Sequence, residues 1–226
     1  MRLTAIAVVS ALFASTASAA GAPAASSSAI PPMIVNVTTA ADMSAELVAR
    51  MLAEADGIWL PGGVTFIWRR AARVVVPYSR VSETGPYVPT TLRVSLGDSR
   101  GAGRDGRMPL GWIVFDDVSA PQQEIHLSYA NALALMDQAR GVVGIVAHMP
   151  IAQREMFLAR ALGRALAHEL GHYLLASREH TARGLMKATL TAVELFMPDT
   201  VGFRIEPAQC RAVAARLRGE PLVANR

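Results

Sequence analysis

Two histidines and a glutamate stand at a spacing that suits metal chemistry. The run His168-Glu169-Leu170-Gly171-His172 has the form HExxH. Residues four apart lie on one face of a helix, so both imidazoles can bind a single ion. Glu169 projects to the flank of the pair, where it can contact a zinc-bound water without binding the metal. Zinc lowers the pKa of that water and polarises a carbonyl, so the motif predicts zinc-dependent hydrolysis with Glu169 as general base.

A catalytic zinc ion usually has three protein ligands and one water, so a third ligand is expected. His180 follows His172 by eight residues, at a point where the helical pattern has ended and the chain can turn back. Imidazole is a favoured zinc ligand, which makes His180 the preferred candidate. Two alternatives stay open. Glu194 could act as a glutamate ligand or be a solvated residue on an amphipathic turn, and Glu179 could bind if the turn has a different course.

The elements that must position these residues follow from the spacing of apolar residues. A long helix is predicted from Ile151 to about Ala176, with the motif well inside it. Irregular sequence then runs to Phe203, and a last helix is expected over 207–217, with proline at its start. Strands are predicted before the long helix at 33–37, 64–68, 73–76, 91–96, 112–115 and 125–128, and helices at 44–55 and 130–139.

This order of elements predicts an α+β fold. We expect a mixed, mostly parallel sheet packed on helices, a long active-site helix carrying HExxH, and a small C-terminal subdomain ending in a helix. The length of 226 residues indicates one catalytic domain over 33–226, with an upper part at 33–177 and a lower part at 178–226.

The first 32 residues are expected to lie outside that domain. A positive start at Arg2, an apolar run over 3–13 and the sequence Ala17-Ser18-Ala19 are typical of a signal peptide over 1–19, cleaved before Ala20. The apolar run is shorter than a membrane span requires. Residues 20–32 are rich in Ala, Ser and Pro, and predict a flexible lead-in. The mature protein is therefore expected to be secreted or periplasmic.

The composition limits the classes of binding partner and metal site that can be expected. The net charge is +4, and 21 of the 22 basic residues are arginines scattered along the chain, with no basic cluster for nucleic acid or a membrane surface. Cys210 is the one cysteine, which excludes an intrachain disulfide and a cysteine-based structural zinc site. It is more consistent with a small core residue than with a reactive thiol.

Around the motif the chain resembles the zincin metallopeptidases, and more narrowly the metzincins, in which HExxHxxGxxH is followed by a Met-turn. The resemblance matches His168 and His172 to the first two zinc ligands, Glu169 to the general base and His180 to the third ligand. It also matches Met186 to the Met-turn methionine that lies beneath the metal. The metzincin glycine would fall at Leu175 and the third histidine at Arg178, so the ligand turn of this chain is a longer variant.

The resemblance and the motif together imply a secreted zinc metalloendopeptidase. Its cofactor would be Zn²⁺ and its partner a peptide or protein substrate, with no nucleic acid, no membrane after signal cleavage, and a monomeric state. The edge strand beside the cleft is expected at 112–115, where an extended peptide could pair, and residues 187–201 would form the pocket wall. A non-catalytic extracytoplasmic zinc-binding domain and a zinc amidase acting on a non-protein amide are the alternatives.

Overall fold

The computed structural model of the protein describes residues 30–70, 92–101 and 108–219. The predicted signal peptide, most of the predicted lead-in and the predicted strand at 73–76 lie outside the described residues. No helix in the described ranges is both long enough and apolar enough to cross a membrane.

A five-stranded, mostly parallel sheet forms one layer of the described fold, and its strand order is β2-β1-β3-β5-β4. The first four strands in that order run parallel, and β4 is antiparallel to β5. The predicted α+β class with a mixed, mostly parallel sheet is therefore confirmed. The strands are β1 (Met33–Thr39), β2 (Phe66–Arg70), β3 (Leu92–Gly97), β4 (Gly111–Asp117) and β5 (Ala120–Ser128).

The strands bury one face because their apolar residues alternate. Val37 of β1 is in register with Val94 of β3, which is in register with Ile125 of β5. These three side chains are almost completely buried. A period of two residues places every second side chain on the same face of a strand. The result is an apolar row across the sheet, and helices cover it.

Two long helices form most of the layer that covers this face of the sheet. They are α1 (Ala45–Trp59) and α4 (Ile151–Leu175). Ser44 begins α1 by accepting a hydrogen bond from the backbone N–H of Leu47 at 3.3 Å. The two helices approach closely at Gly163 of α4, where a Cβ would lie 2.6 Å from the carbonyl oxygen of Met51. The remaining helices are α2 (Tyr129–Gln138), α3 (Arg140–Val143), α5 (Ala192–Phe196) and α6 (Pro207–Leu217).

A buried ion pair links α1 and α4 near this contact. Nε of Arg164 donates to Oε1 of Glu54 at 2.7 Å, and the Arg164 side chain is completely buried. The guanidinium also lies 4.8 Å from the centroid of the Phe203 ring and donates to the backbone carbonyl of Glu194. Arg164 therefore connects α1, α4 and the segment that follows the histidine cluster.

The prediction of irregular sequence up to Phe203 is wrong at 192–196, where α5 forms. Thr191 and Glu194 make a capping box, in which each side chain accepts a hydrogen bond from the backbone N–H of the other residue. The Thr191-x-x-Glu194 spacing was the signal for this helix in the sequence. The last helix begins and ends as predicted, at Pro207 and Leu217.

Candidate metal centre

His168 and His172 lie one turn apart on α4, and backbone carbonyls fix the tautomer of each ring. The Nδ1 atom of His168 is 2.8 Å from the carbonyl oxygen of Leu185, and Nδ1 of His172 is 2.7 Å from that of Ser177. A carbonyl oxygen can only accept a hydrogen bond, so both Nδ1 atoms must carry the proton. The Nε2 atom of each neutral ring is left with a free lone pair.

These two Nε2 atoms face each other at 3.0 Å. Neither can donate to the other in the neutral tautomers that the carbonyls select, so two lone pairs converge on the same point. A cation between or beside them removes that repulsion and uses both lone pairs. The observed geometry of the pair therefore fits a bound metal ion.

His180 completes the cluster. One ligand atom each from His168, His172 and His180 can be chosen so that all lie within 4.8 Å of one another. The His180 ring is stacked on His168, with centroids 5.3 Å apart, and is edge-on to His172 at 4.9 Å. Three imidazoles form a donor set that zinc commonly takes at catalytic sites, with a fourth position left for water.

The surroundings of all three imidazoles favour the neutral form, which is the form that binds metals. Burial, and to a smaller extent the charges of His172 and His180, lower the pKa of His168 to about 4 against the opposing hydrogen bond to Leu185. Burial is also the largest cause of the lowered pKa of His172, and burial lowers the pKa of the more exposed His180.

Glu169 is buried beside this cluster and is held by the neighbouring strand. The pKa of its carboxyl is raised to about 8, because burial outweighs the opposing effect of a hydrogen bond from the backbone N–H of Ile113 on β4. Gly111 of the same strand comes so close that a Cβ there would lie 3.0 Å from Cγ of Glu169. A nearby cation would favour the ionised carboxylate. The strand thus fixes a carboxyl group next to three potential metal ligands.

Met186 packs against the motif itself. A Cβ on Gly171 would lie 2.2 Å from Sδ of Met186, so any larger residue at this position of the helix would have to displace the Met186 side chain. Met186 is almost completely buried. The residue before it, Leu185, supplies the carbonyl that holds His168. The segment assigned to the Met-turn therefore supports the helix between the two histidines.

The connection from the helix to His180 begins with a left-handed residue. Ala176 has φ +48° and is the single non-glycine residue with positive φ in the described ranges. In the spacing HExxHxxGxxH the third histidine follows the glycine by three residues. Here the left-handed residue Ala176 stands one position after the place of that glycine, and His180 follows Ala176 by four. These two extra residues account for the displacement of the histidine predicted from the sequence.

The two glutamates considered as third ligands lie outside the cluster. Glu194 is engaged in the capping box of α5 and in an ion pair of 2.7 Å with Nζ of Lys187. Hydrogen bonds from Lys187 and from the backbone of Thr191 lower its pKa to about 2. Glu179 is exposed, and neither glutamate belongs to the group of potential metal ligands that the described residues form. Cys210 on α6 is half-buried near Gly62 and is not part of that group either.

Several residues that shape the site carried no recognisable signal in the sequence. The carbonyls of Leu185 and Ser177 and the N–H of Ile113 are backbone groups, which any residue type could supply. Arg178 is another such residue, since it donates to backbone carbonyls of β4. The contact of Gly171 with Met186 could have been suspected only from the glycine inside the motif.

Similarity to known proteins is found among solved structures. No protein-family profile and no curated protein matches this sequence. A crystal structure of archaemetzincin from Methanopyrus kandleri is similar at 13% sequence identity, over 83% of this chain and 96% of that chain, with a TM-score of 0.45. A likeness of this size carries no information about the site, whose chemistry follows from its own side chains.

Proposed function

We propose that this protein is a zinc metallopeptidase that hydrolyses peptide bonds with Glu169 as general base. The observation that carries the proposal is the convergence of three imidazoles beside a buried glutamate that β4 holds in place. His168, His172 and His180 would hold the metal. Zinc at such a site supplies a water of lowered pKa and polarises a substrate carbonyl.

The chain's own residues would then perform the proton transfers. The carboxylate of Glu169 would accept a proton from the attacking water and return it to the leaving amine nitrogen. The N–H of Ile113 would keep that carboxylate oriented through both steps. The carbonyls of Leu185 and Ser177 would hold His168 and His172 with their Nε2 lone pairs toward the metal, because such partners fix ring orientation and ligand basicity.

The finer parts of the proposal come from the sequence. We propose that the mature chain acts outside the cytoplasm as a secreted or periplasmic monomer, after cleavage of the signal peptide near Ala19-Ala20. Its substrate would be an extended peptide or protein segment that pairs with the edge of β4. That strand stands last in the sheet among the described strands, and its Ile113 contacts Glu169.

The test compares zinc binding and hydrolysis in two glutamine variants of α4. Glu169→Gln is expected to retain about one zinc per chain but to lose about 10²–10⁴-fold in kcat, which is the usual contribution of a general base. Glu155→Gln, outside the cluster on the same helix, is the matched control and should retain both. Full activity in Glu169→Gln would refute the assigned role. A wild-type protein that binds zinc but cleaves no peptide would instead support a metal-binding domain or an amidase acting on a non-protein substrate.

A further inference from the structure

The outer edge of β4 is occupied at one end by a side chain from the histidine-bearing segment. In the described part of the chain β4 pairs with β5 on one side and with no strand on the other. Nη2 of Arg178 donates to the backbone carbonyls of Phe115 at 2.9 Å and Asp117 at 3.3 Å. The guanidinium also lies 5.0 Å from the centroid of the Phe115 ring.

This contact is well suited to persist in solution. Hydrogen bonds from a charged donor are stronger than neutral ones, and stacking on an aromatic ring adds to them. Arg178 is an exposed side chain, so these two hydrogen bonds and the ring contact are what hold it against the strand.

Arg178 and Glu169 form hydrogen bonds to different positions of β4. Glu169 takes the N–H of Ile113, and Arg178 takes the carbonyls two and four residues further along. Counted along the strand, these carbonyls lie two and four residues beyond the position of the catalytic glutamate, in a stretch where the register with β5 shifts. An extended peptide that adds to β4 uses main-chain hydrogen bonds of this kind. It would meet Arg178 after about two to three residues.

We infer that Arg178 closes one end of the substrate cleft by occupying the main-chain acceptors at the far end of β4. It thereby sets how many substrate residues bind on one side of the scissile bond. This inference rests on the proposed function, since it concerns the substrate of that site. Arg178 acts here as a specificity-determining residue, because the charge and the hydrogen bonds it supplies stand where further substrate residues would pair.

The experiment measures cleavage of peptides extended by one residue at a time on either side of a fixed scissile bond. In the wild-type protein, kcat/KM is expected to stop rising after the second or third residue on one side only. In Arg178→Ala it should rise further by about tenfold over the next two residues on that side, the effect of about one or two added main-chain hydrogen bonds. Each value is divided by that of the shortest peptide for the same variant, so a general change in metal affinity cancels.

Arg183→Ala is the matched control, because Arg183 lies in the same connecting segment and its side chain is 90% exposed. It should keep the wild-type dependence on peptide length. Melting temperatures and zinc content of each variant show that it is folded and loaded. An unchanged length limit in Arg178→Ala, or the absence of any limit in the wild type, would overturn the inference while the peptidase function stands.

A second measurement separates the inference from the proposed function. The same peptides are titrated calorimetrically into Glu169→Gln, with and without Arg178→Ala. A plateau in affinity that the Arg178 change removes would support the inference even if the wild-type protein cleaves none of the peptides. Absence of cleavage alone would refute the peptidase function. The inference would be overturned if affinity depended on peptide length in the same way with and without Arg178→Ala, or if neither protein bound the peptides.

Discussion

Packing constrains the two residues that the HExxH motif leaves unspecified. Leu170 is completely buried in the core. Gly171 lies against Met186 so closely that the smallest side chain would overlap its sulfur. The same Met186 follows the residue whose carbonyl fixes the tautomer of His168. At this position the packing of one glycine is thus connected directly to the orientation of His168.

This connection predicts the effect of Gly171→Ala. The added Cβ forces the segment at Leu185–Met186 away from α4, which should cost about 1–3 kcal/mol of folding free energy, the usual range for overpacking. Because the Leu185 carbonyl moves with it, zinc affinity should fall about 10–100-fold, as it does when a partner of a metal-binding histidine is lost. Thermal unfolding and competition with a zinc chelator measure the two effects.

Gly57→Ala provides the control for the first effect. Gly57 is an exposed residue of α1, and a Cβ added there would have no other side chain or neighbouring backbone within 4 Å. Alanine is preferred over glycine inside a helix by about 1 kcal/mol, so this change should stabilise the protein and leave zinc affinity unchanged. A Gly171→Ala protein as stable as wild type, with equal zinc affinity, would show that Met186 adapts without moving Leu185.

Among the helices and strands, the sequence predicts those that are marked by a local pattern of apolar residues. The period of apolar residues placed α2, α4 and α6 and the strands β1 to β4 to within about two residues, whereas β5 begins at Ala120, before its predicted start at residue 125. Their ends are less well determined, as for α1, which continues to Trp59 rather than ending at Ala55. Trp59, in the last turn of α1, donates its indole N–H to the carbonyl of Ala167 on α4 at 3.1 Å. A contact between residues 108 positions apart leaves no mark in the local sequence pattern.

The sequence likewise predicted that site residues lie together only where they belong to the same element. HExxH lies within one helix, so His168, Glu169 and His172 share a location whatever the rest of the chain does. His180 reaches the pair through a turn whose left-handed residue is Ala176, where glycine would have been the expected signal. The roles of Ile113 and Arg178 depend on strand β4 lying beside α4, and this is a property of the tertiary fold.

The contact of α1 with α4 leads to a prediction about the buried ion pair. In Glu54→Ala the Cβ that packs on Gly163 remains, but the completely buried Arg164 loses its carboxylate partner. Removing one partner of a buried pair leaves an uncompensated charge, so unfolding free energy should fall by about 3 kcal/mol. Chemical denaturation of the variant and wild type measures the difference.

A second Glu→Ala change on the same helix tests whether burial is the cause. Glu46 forms an ion pair of 2.6 Å with Arg50, and both side chains are about half exposed or more. Exposed helical pairs contribute little, so Glu46→Ala should cost only about 0.5 kcal/mol. Equal losses in the two variants would mean that the Glu54–Arg164 pair adds no more than a surface pair does.

The fold brings three parts of the chain together at the histidine cluster. Helix α4 carries His168, Glu169 and His172, strand β4 orients Glu169, and the segment from Ala176 to Met186 supplies His180 and the carbonyls of Ser177 and Leu185. A metal bound there would join the helix to the segment that follows it. Metal binding should therefore stabilise the described fold as a whole, since an ion that binds only the folded state shifts the unfolding equilibrium.

Removal of the metal is thus expected to lower the melting temperature. Zinc at about 100 times its dissociation constant adds about 2.7 kcal/mol to the free energy of unfolding. For a domain of this size that corresponds to about 5–11 °C between the zinc-loaded and the chelator-treated protein. Calorimetry on both forms measures the shift. His180→Ala should reduce it markedly because one of three ligands is lost, whereas His148→Ala, an exposed histidine before α4, should keep it in full. A full shift in His180→Ala would place the third ligand elsewhere in the chain, and no shift in the wild type would refute the metal centre.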